Sequence, residues 1–541
     1  MEKRKNKPDN SQLLNLVFKD VVRYTRVMGG LRLRSYQEQV ARAVIRSVMG
    51  QQGLSIVVMF PRQSGKNELQ AQIEAYLLSM LSTSGAEMVK LSPTYQPQCL
   101  VAMRRLESTL QANLLMRNHW EKKAGNLYRF KQANLTFLSA SPGANIVGAT
   151  ASTLLQIDEA QDVEIDKYDK EIAPMAASTN ATRVFWGTAW TSQTLLAREI
   201  RLAQADQDRD GIQRVFRLTA DAVCVEVPAY GTFVAGQVAR MGRQHPMIRT
   251  QYYSEEIDAE GGLFTPERLA LLKGSHPALE APQIGKTYAM LLDLAGEDES
   301  ARDAQATGLA NPGRDATGLT IVEVDLNLLN DPLIRKPLYR VVKRTLWVGE
   351  KYATLYARIK ALAEHWQVRK LVVDATGVGA GLASFLVDSL GERVIPVVFS
   401  STVKSRLGWG FLAVIDSGRF KDYSVNDVMS YRAYAQHGDV VQAFQENERK
   451  GEACLAPTQL QRLFFKQLEA TQYTVQPGPE KRLSWGVPDG SRDPASGDLM
   501  HDDLVLSAAL VSILDELPWF TPAPAVLLPA EDPLIDMDKG Y

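Results

Sequence analysis

A Gly-Lys pair stands where an apolar segment gives way to a helical pattern. Residues 56–60 are continuously apolar, which predicts a buried strand that stops at Pro61. A short polar turn follows, and from Glu68 onward the apolar residues recur with helical spacing. Backbone N–H groups and the positive dipole end of a helix hold phosphate at such a turn, and a lysine reaches the outer oxygens. The residues of this predicted phosphate-binding loop are Arg62, Gln63, Ser64, Gly65, Lys66 and Asn67.

The turn departs from the standard P-loop pattern at two positions. Phe60 stands in place of the first glycine, and Asn67 stands in place of the hydroxyl residue that binds magnesium. The turn alone is therefore also compatible with a surface Gly-Lys pair behind a core strand.

Two adjacent carboxylates favour the phosphate-binding interpretation. Residues 153–157 predict a short strand, and Asp158 and Glu159 follow at its C-terminal end, where ligands gather on parallel sheets. We expect Asp158 to hold the Mg²⁺ of Mg-ATP and Glu159 to orient and deprotonate the attacking water. Together with Lys66, this pair predicts an ATPase.

Three further residues are candidates for contacts with ATP. Thr188 follows a predicted strand at 183–186, where a hydroxyl can touch the γ-phosphate; a simple turn is the alternative. Tyr36 and Gln37 offer a ring and an amide to adenine, and the alternative is an ordinary position on an amphipathic helix.

The second half of the chain carries four aspartates in chemically suggestive places. Asp293 is embedded in an apolar strand, Asp374 ends another, and Asp502 and Asp503 begin an apolar helix. Each alone is compatible with a helix cap or a turn. Together they suit two Mg²⁺ or Mn²⁺ ions roughly 4 Å apart that cleave a phosphodiester, and so predict a nuclease.

Basic residues surround a predicted turn at 408–410. Lys404, Arg406, Arg419 and Lys421 flank it and are candidates for phosphate contacts with DNA, with Lys404 and Arg406 foremost. Solvated surface charge is the alternative.

Composition limits the remaining classes. The net charge of −1 gives no general argument for nucleic-acid binding, so a DNA groove has to be local. The three cysteines lack metal-ligand or disulfide spacing, which suits a reducing cytoplasm. The apolar run at 504–514 is far shorter than the ~20 residues that span a bilayer, and the N-terminus shows no secretory signal.

A chain of 541 residues predicts two domains. Composition shifts toward Gly, Pro and acidic residues over 255–285 and marks the boundary. The predicted segments are a disordered N-terminus at 1–12, an ATPase domain at 13–265, a linker at 266–285, a nuclease domain at 286–516 and a flexible tail at 517–541.

This combination of motifs resembles the large terminase subunit of tailed bacteriophages and prophages, over about residues 31–514. In the first half the resemblance rests on Tyr36-Gln37, the loop at 62–66, Asp158-Glu159 and residues 187–189, and in the second half on Asp293, residues 374–379 and residues 501–503.

The resemblance implies an α/β protein with a RecA-like P-loop ATPase domain followed by a ribonuclease H-like nuclease domain. It implies a motor that uses ATP and Mg²⁺ to pump double-stranded DNA into a procapsid, and a nuclease that uses Mg²⁺ or Mn²⁺ to cut concatemeric DNA. The implied partners are DNA, a portal protein and a small terminase subunit, with a pentameric ring in the bacterial host cytoplasm and no membrane. Asp315 would be the second acidic residue of the first nuclease motif.

Two other functions are compatible with the sequence. One is a helicase-like repair or restriction translocase with an attached nuclease, which needs a second RecA-like domain. The other is a degenerate prophage scaffold protein, supported only by the departure at Asn67.

Overall fold

The structure is a computed structural model that describes residues 16–146, 148–258, 260–296, 316–424, 455–476, 480–493 and 497–520. The predicted disordered segment 1–12, Asp315 and residues 521–541 of the predicted tail lie outside the described residues.

Within those ranges, the first half of the chain folds around an eight-stranded sheet of order β3-β4-β5-β2-β6-β7-β1-β8. The strands from β5 to β8 in this order run parallel, and β3 and β4 form an antiparallel edge. The strands are β1 (Ser55–Met59), β2 (Ala86–Ser92), β3 (Glu121–Lys123), β4 (Leu127–Phe130), β5 (Ala133–Ser139), β6 (Leu154–Ile157), β7 (Thr182–Gly187) and β8 (Val215–Arg217).

Helices cover both faces of this sheet. Strand β1 is apolar on both sides, so each of its faces must be buried under a helical layer. Ile56 and Val58 pack in the core that α2, α3 and α4 cover, whereas Val57 and Met59 pack in the core beneath α6. The helices are α1 (Val21–Val27), α2 (Ser35–Met49), α3 (Lys66–Met80), α4 (Leu100–Ala112), α5 (Ile165–Lys167), α6 (Leu195–Asp210), α7 (Ala220–Glu226), α8 (Pro228–Met241) and α9 (Pro246–Tyr253).

The second half, as far as it is described, folds around a six-stranded sheet of order β14-β13-β10-β11-β12-β15. Strands β10, β11 and β12 are antiparallel neighbours, and β13 and β14 run parallel to β10. The strands are β10 (Tyr288–Asp293), β11 (Ala316–Asp325), β12 (Leu338–Val348), β13 (Lys370–Asp374), β14 (Val394–Val397) and β15 (Phe420–Lys421).

Two helical layers bury this second sheet. Leu355 of α11 and Leu382 of α12 belong to the core on one face, and Phe411 of α13 and Leu504 of α15 belong to the core on the other. The helices are α10 (Pro266–Leu272), α11 (Tyr352–His365), α12 (Gly379–Leu390), α13 (Ser401–Asp416), α14 (Pro457–Ala470), α15 (Asp503–Ala509) and α16 (Val511–Glu516).

The segment that connects the two domains is more ordered than the predicted linker at 266–285. Helix α10 lies inside it, and Arg268 donates to both carboxylate oxygens of Asp416, at 2.8 and 3.0 Å. Just before α10, β9 (Glu260–Gly262) pairs with β16 (Gln472–Val475), which pairs with β17 (Leu483–Gly486). Residues 260–272 therefore pack with the second domain.

The predicted turn at 408–410 is wrong, because α13 runs through it. The two glycines of this segment allow close packing: a Cβ on Gly408 would lie 2.4 Å from the indole nitrogen of Trp485, and one on Gly410 would lie 2.7 Å from Cβ of Ser512.

None of the helices in the described ranges combines the length and apolar character needed to cross a bilayer.

Candidate functional site

The phosphate-binding loop joins β1 to α3 as predicted. Gly65 caps α3 with a φ of 91°, a left-handed conformation that glycine adopts without strain. A Cβ at this position would also lie 2.6 Å from the amide nitrogen of Gln37. The hydroxyl of Ser64 donates back to the carbonyl of Pro61 over 2.7 Å, and Gln63 has a φ of 60°. The loop thus leads directly into the N-terminal backbone N–H groups of α3.

Tyr36 and Gln37 brace this loop. The hydroxyl of Tyr36 donates to the carbonyl of Ser64 over 2.8 Å, and the amide of Gln37 donates to the carbonyl of Gly65 over 3.0 Å. Tyr36 also packs edge-on against Phe60 and lines a cavity of about 790 Å³ beside β8. Their contact with adenine stays a prediction, and their support of the loop is a role that the sequence did not reveal.

Lys66 and Glu159 form an ion pair across the mouth of the loop. Nζ of Lys66 donates to Oε1 of Glu159 over 2.8 Å. Burial alone would raise the pKa of the Glu159 carboxyl, but the Lys66 ammonium and the amide of Gln161 hold it below its usual value. Glu159 is therefore ionised, as a residue that accepts a proton from water must be.

Asp158 lies deeper beside the same loop. It follows β6, is 3% exposed, and accepts a hydrogen bond from Nε2 of Gln70 over 3.0 Å. Asp158, Glu159, Arg62, Asn67 and Thr188 line one cavity of about 380 Å³. The structure thus brings the predicted phosphate-binding and acidic residues together.

Gln161 is a residue of this site that the sequence analysis missed. Its amide nitrogen donates to Oε2 of Glu159 over 2.9 Å, and its amide oxygen accepts from the backbone N–H of Thr188 over 3.1 Å. It connects the end of β6 to the end of β7. Its position two residues after Glu159 was the available signal.

A second cluster lies at the C-terminal ends of two parallel strands. Strands β10 and β13 pair in register, with Leu292 opposite Val373, so Asp293 and Asp374 end neighbouring strands. Asp503 begins α15, which the hydroxyl of Ser507 ties to β10 by donating to the carbonyl of Leu291 over 2.9 Å.

The four aspartates influence one another. Burial raises the pKa of Asp293 well above its ordinary value, and the charges of Asp503, Asp374 and Asp502 raise it further. Burial also raises the pKa of Asp374, although hydrogen bonds from Thr376 and the charge of Lys404 oppose the shift. A divalent cation would relieve this repulsion, and carboxylate oxygens are ligands that Mg²⁺ and Mn²⁺ prefer.

Within the described part of the chain, no group of three or more His, Cys, Asp and Glu side chains is placed so that it could hold a metal ion. Metal binding by Asp158, Asp293, Asp374, Asp502 and Asp503 stays a prediction.

The predicted DNA-binding residues separate into different environments. Nζ of Lys404 lies 4.0 Å from Oδ2 of Asp502, next to the carboxylate cluster. Nε of Arg406 lies 3.6 Å from Oε1 of Glu516. Arg419 was predicted to be a candidate phosphate contact, which is wrong: it is 2% exposed and pairs with Asp515. Lys421 donates to the carbonyl of Leu271 over 2.7 Å.

Residues 334–431 match the family model of the terminase RNaseH-like domain. The chain is similar to large terminases. The predicted order of a P-loop ATPase fold followed by a ribonuclease H-like fold is confirmed.

Several solved large terminases resemble this chain at low sequence identity. The large terminase of one thermophilic bacteriophage is 10% identical, with 90% of this chain and 99% of that chain covered and a TM-score of 0.45. The large terminase of bacteriophage HK97 is 12% identical, with 91% and 99% covered and a TM-score of 0.37. The large terminase nuclease of thermophilic phage G20c with bound magnesium is 16% identical, with 47% and 96% covered and a TM-score of 0.28. No curated protein matches the sequence.

Proposed function

We propose that this chain is the motor subunit of a viral DNA-packaging machine. Its first domain hydrolyses ATP to move double-stranded DNA into a procapsid, and its second domain cuts concatemeric DNA. The observation that carries the proposal is that the candidate residues form two clusters, on two different sheets of one chain. One joins Lys66, Asp158 and Glu159, and the other joins Asp293, Asp374 and Asp503.

The ATPase step follows from the contacts of Lys66. When ATP binds, the Lys66 ammonium leaves the Glu159 carboxylate and pairs with phosphate oxygens, because a triphosphate carries more negative charge and offers several acceptor oxygens. Glu159 then loses its ion pair and is free to accept a proton from the attacking water. Gln161 keeps the Glu159 carboxylate oriented and connects it to Thr188 at the end of β7. Asp158, which accepts a hydrogen bond from Gln70, would supply an oxygen ligand for Mg²⁺.

The nuclease step relies on the ends of β10 and β13. Asp293, Asp374 and the Asp502-Asp503 pair would hold Mg²⁺ or Mn²⁺, and such an ion would supply activation of water and stabilisation of the leaving oxygen of a phosphodiester. Thr376 fixes Asp374 through two hydrogen bonds, at 2.9 Å from its backbone N–H and 2.5 Å from its hydroxyl. Lys404 supplies positive charge beside the cluster for the DNA backbone.

The similarity to large terminases supports further partners. We infer that the chain docks on a portal protein, receives DNA from a small terminase subunit, and works as a pentameric ring in the cytoplasm of a bacterial host. In the described residues, the second domain has a sheet of mixed strand directions and contains most of the family match, so it is not a second RecA-like domain. This disfavours the helicase-like alternative.

Two activity measurements on the purified chain test the proposal. Lys66→Ala and Glu159→Gln should lower ATP turnover by about 100-fold or more, since each removes a group that acts in the transition state. Asp374→Asn should abolish plasmid cleavage in Mn²⁺. Asp388→Asn, on the exposed face of α12, is the matched control and should retain both activities. Unchanged ATP turnover in Lys66→Ala, or persistent cutting by Asp374→Asn, would contradict the assignment of that site.

A further inference from the structure

A loop of the second domain reaches into the ATP cavity of the first. Glu480 and Lys481, just before β17, line the same cavity of about 380 Å³ as Arg62, Asp158 and Glu159. The sequence gives no sign of this, because Lys481 lies more than 300 residues after the phosphate-binding loop.

Two contacts and an unusual backbone conformation define the position of Lys481. Its ammonium lies 4.4 Å from the centre of the Trp190 ring, a cation-π distance. Its backbone carbonyl accepts a hydrogen bond from the indole nitrogen of Trp409 over 3.1 Å. Its φ of 49° is left-handed, a conformation that few non-glycine residues adopt. Trp190 itself lies two residues after Thr188, in the segment that follows β7.

The charges that face Lys481 belong to the ATPase site. Burial lowers the pKa of Lys481; the carboxylates of Asp162 and Glu159 oppose that shift, while the cations of Arg62 and Lys66 add to it. Arg62 and Lys481 are thus two cations in the lining of this cavity, and Lys66 is close enough for its charge to act on Lys481. A nucleoside triphosphate that enters this cavity brings the negative charge that these clustered cations favour.

The chain that follows Lys481, through β17 to Val487, contacts residues of the carboxylate cluster and its neighbour Lys404. Strand β17 runs from Leu483 to Gly486, and the indole nitrogen of Trp485 donates to the carbonyl of Lys404 over 2.7 Å. A Cβ on Gly486 would lie 2.7 Å from Oδ2 of Asp502, and the backbone N–H of Val487 donates to the same oxygen over 3.4 Å. A short stretch of chain, from Lys481 to Val487, therefore connects the ATP cavity to Asp502.

We propose that Lys481 is a nucleotide-binding residue that the nuclease domain supplies in cis, that it contacts the terminal phosphate of ATP, and that β17 couples this contact to Asp502. The inference rests on the proposed function of the ATP site and extends it. Its consequence is a nuclease whose cutting rate depends on the nucleotide bound to its own chain, a coupling between two distinct sites.

Equilibrium binding separates this proposal from the proposed function. Lys481→Ala should weaken binding of ATP about tenfold and of ADP less than twofold, whereas Lys481→Arg should retain most of the discrimination between them. Lys131→Ala is a matched control, because Lys131 is exposed and also has a left-handed φ, 54°, in the turn between β4 and β5. An ATP-to-ADP affinity ratio that Lys481→Ala leaves unchanged overturns the contact.

Cleavage assays test the coupling. Plasmid cutting by the full-length protein in Mn²⁺ is measured without nucleotide, with ADP and with a slowly hydrolysed ATP analogue at saturating concentration. The wild-type rate should differ at least threefold between ADP and the analogue, and Lys481→Ala should abolish this difference. Equal wild-type rates in the two nucleotides would overturn the coupling. The proposed function would fail separately, through absence of ATP turnover or of cutting in the wild-type protein.

Discussion

The backbone N–H of Thr188 donates to the side-chain oxygen of Gln161, and the nitrogen of the same amide donates to Glu159. The Gln161 side chain thereby holds two groups in place: the Glu159 carboxylate after β6 and the backbone of Thr188 after β7. Because both hydrogen bonds use a single planar group, a shift of Thr188 must turn the amide and alter the support of Glu159.

Gln161→Leu should therefore impair chemistry more than binding. We expect ATP turnover to fall about 10- to 100-fold while KM changes less than about threefold, since the substitution misorients a group that acts in the transition state. Steady-state ATPase kinetics provide the measurement. Gln132→Leu, at an exposed position before β5, should behave as wild type. A rise in KM with normal kcat would indicate instead that Gln161 serves nucleotide binding.

Gly318→Ala should displace the helix that carries Asp503. A Cβ on Gly318 would lie 2.7 Å from the backbone carbonyl oxygen of Asp503 and 3.0 Å from its carbonyl carbon, so α15 must move from the sheet. We expect a loss of about 1–3 kcal/mol in the free energy of unfolding, together with a fall in plasmid cleavage. Gly381→Ala on α12, where nothing lies within 4 Å of the new Cβ, is the control. Normal cleavage by Gly318→Ala would show that the position of Asp503 matters little.

Lys90→Met should strongly destabilise the first domain. Lys90 and Glu74 form a buried pair at 2.8 Å, with side chains 2% and 0% exposed, and Gln156 donates to the same carboxylate oxygen over 2.8 Å. Loss of the cation leaves a buried carboxylate uncompensated, at a cost of about 3–5 kcal/mol. Chemical denaturation measures the effect, and replacing both partners by apolar residues should recover much of it. Lys170→Ala, in an exposed pair with Asp166, should change stability little.

His245 should make stability depend on pH. Burial lowers its pKa from 6.5 to about 4. Its Nδ1 accepts from the N–H of Met247 over 3.2 Å, so Nε2 carries the proton and donates to the carbonyl of Trp409 over 3.1 Å. Below pH 6.5 the His245 side chain takes up a proton in the unfolded chain, whereas in the folded chain it stays neutral down to about pH 4. Stability therefore falls through this window as the pH decreases, by about 3 kcal/mol in total from this residue.

Unfolding experiments at about pH 7 and about pH 4.5 test the contribution of His245. The decrease in unfolding free energy between these two values should be smaller for His245→Asn than for the wild type. His119→Asn, at an exposed position, should retain the wild-type decrease. Equal decreases in all three proteins would contradict a buried neutral histidine.

The sequence predicted the features that depend on neighbouring residues. Local hydrophobic periodicity predicts the buried strand before Lys66 and the helix after it. It also predicts the strand that precedes Asp158 and the strands that end in Asp293 and Asp374. Their convergence followed from one further rule, that parallel strands place their C-terminal ends together.

Features that depend on distant packing were missed or mistaken. Gly408 was interpreted as part of a turn, although its lack of a side chain makes room for Trp485. The sequence makes Arg419 a candidate for a phosphate contact with DNA, although Asp515, 96 residues later, pairs with it in the interior. Lys481 carried no local signal at all. In each case the partner is supplied by a remote segment, and composition cannot reveal which one.

The pairing of β9 with β16 has a practical consequence for dissecting the protein. A fragment cut at the sequence-derived boundary near residue 286 would lose β9, α10 and the apolar pair Leu263 and Phe264, which fill the second core. The edge of β16 would then present unpaired backbone groups and invite aggregation. An autonomous C-terminal fragment should therefore begin ahead of Glu260.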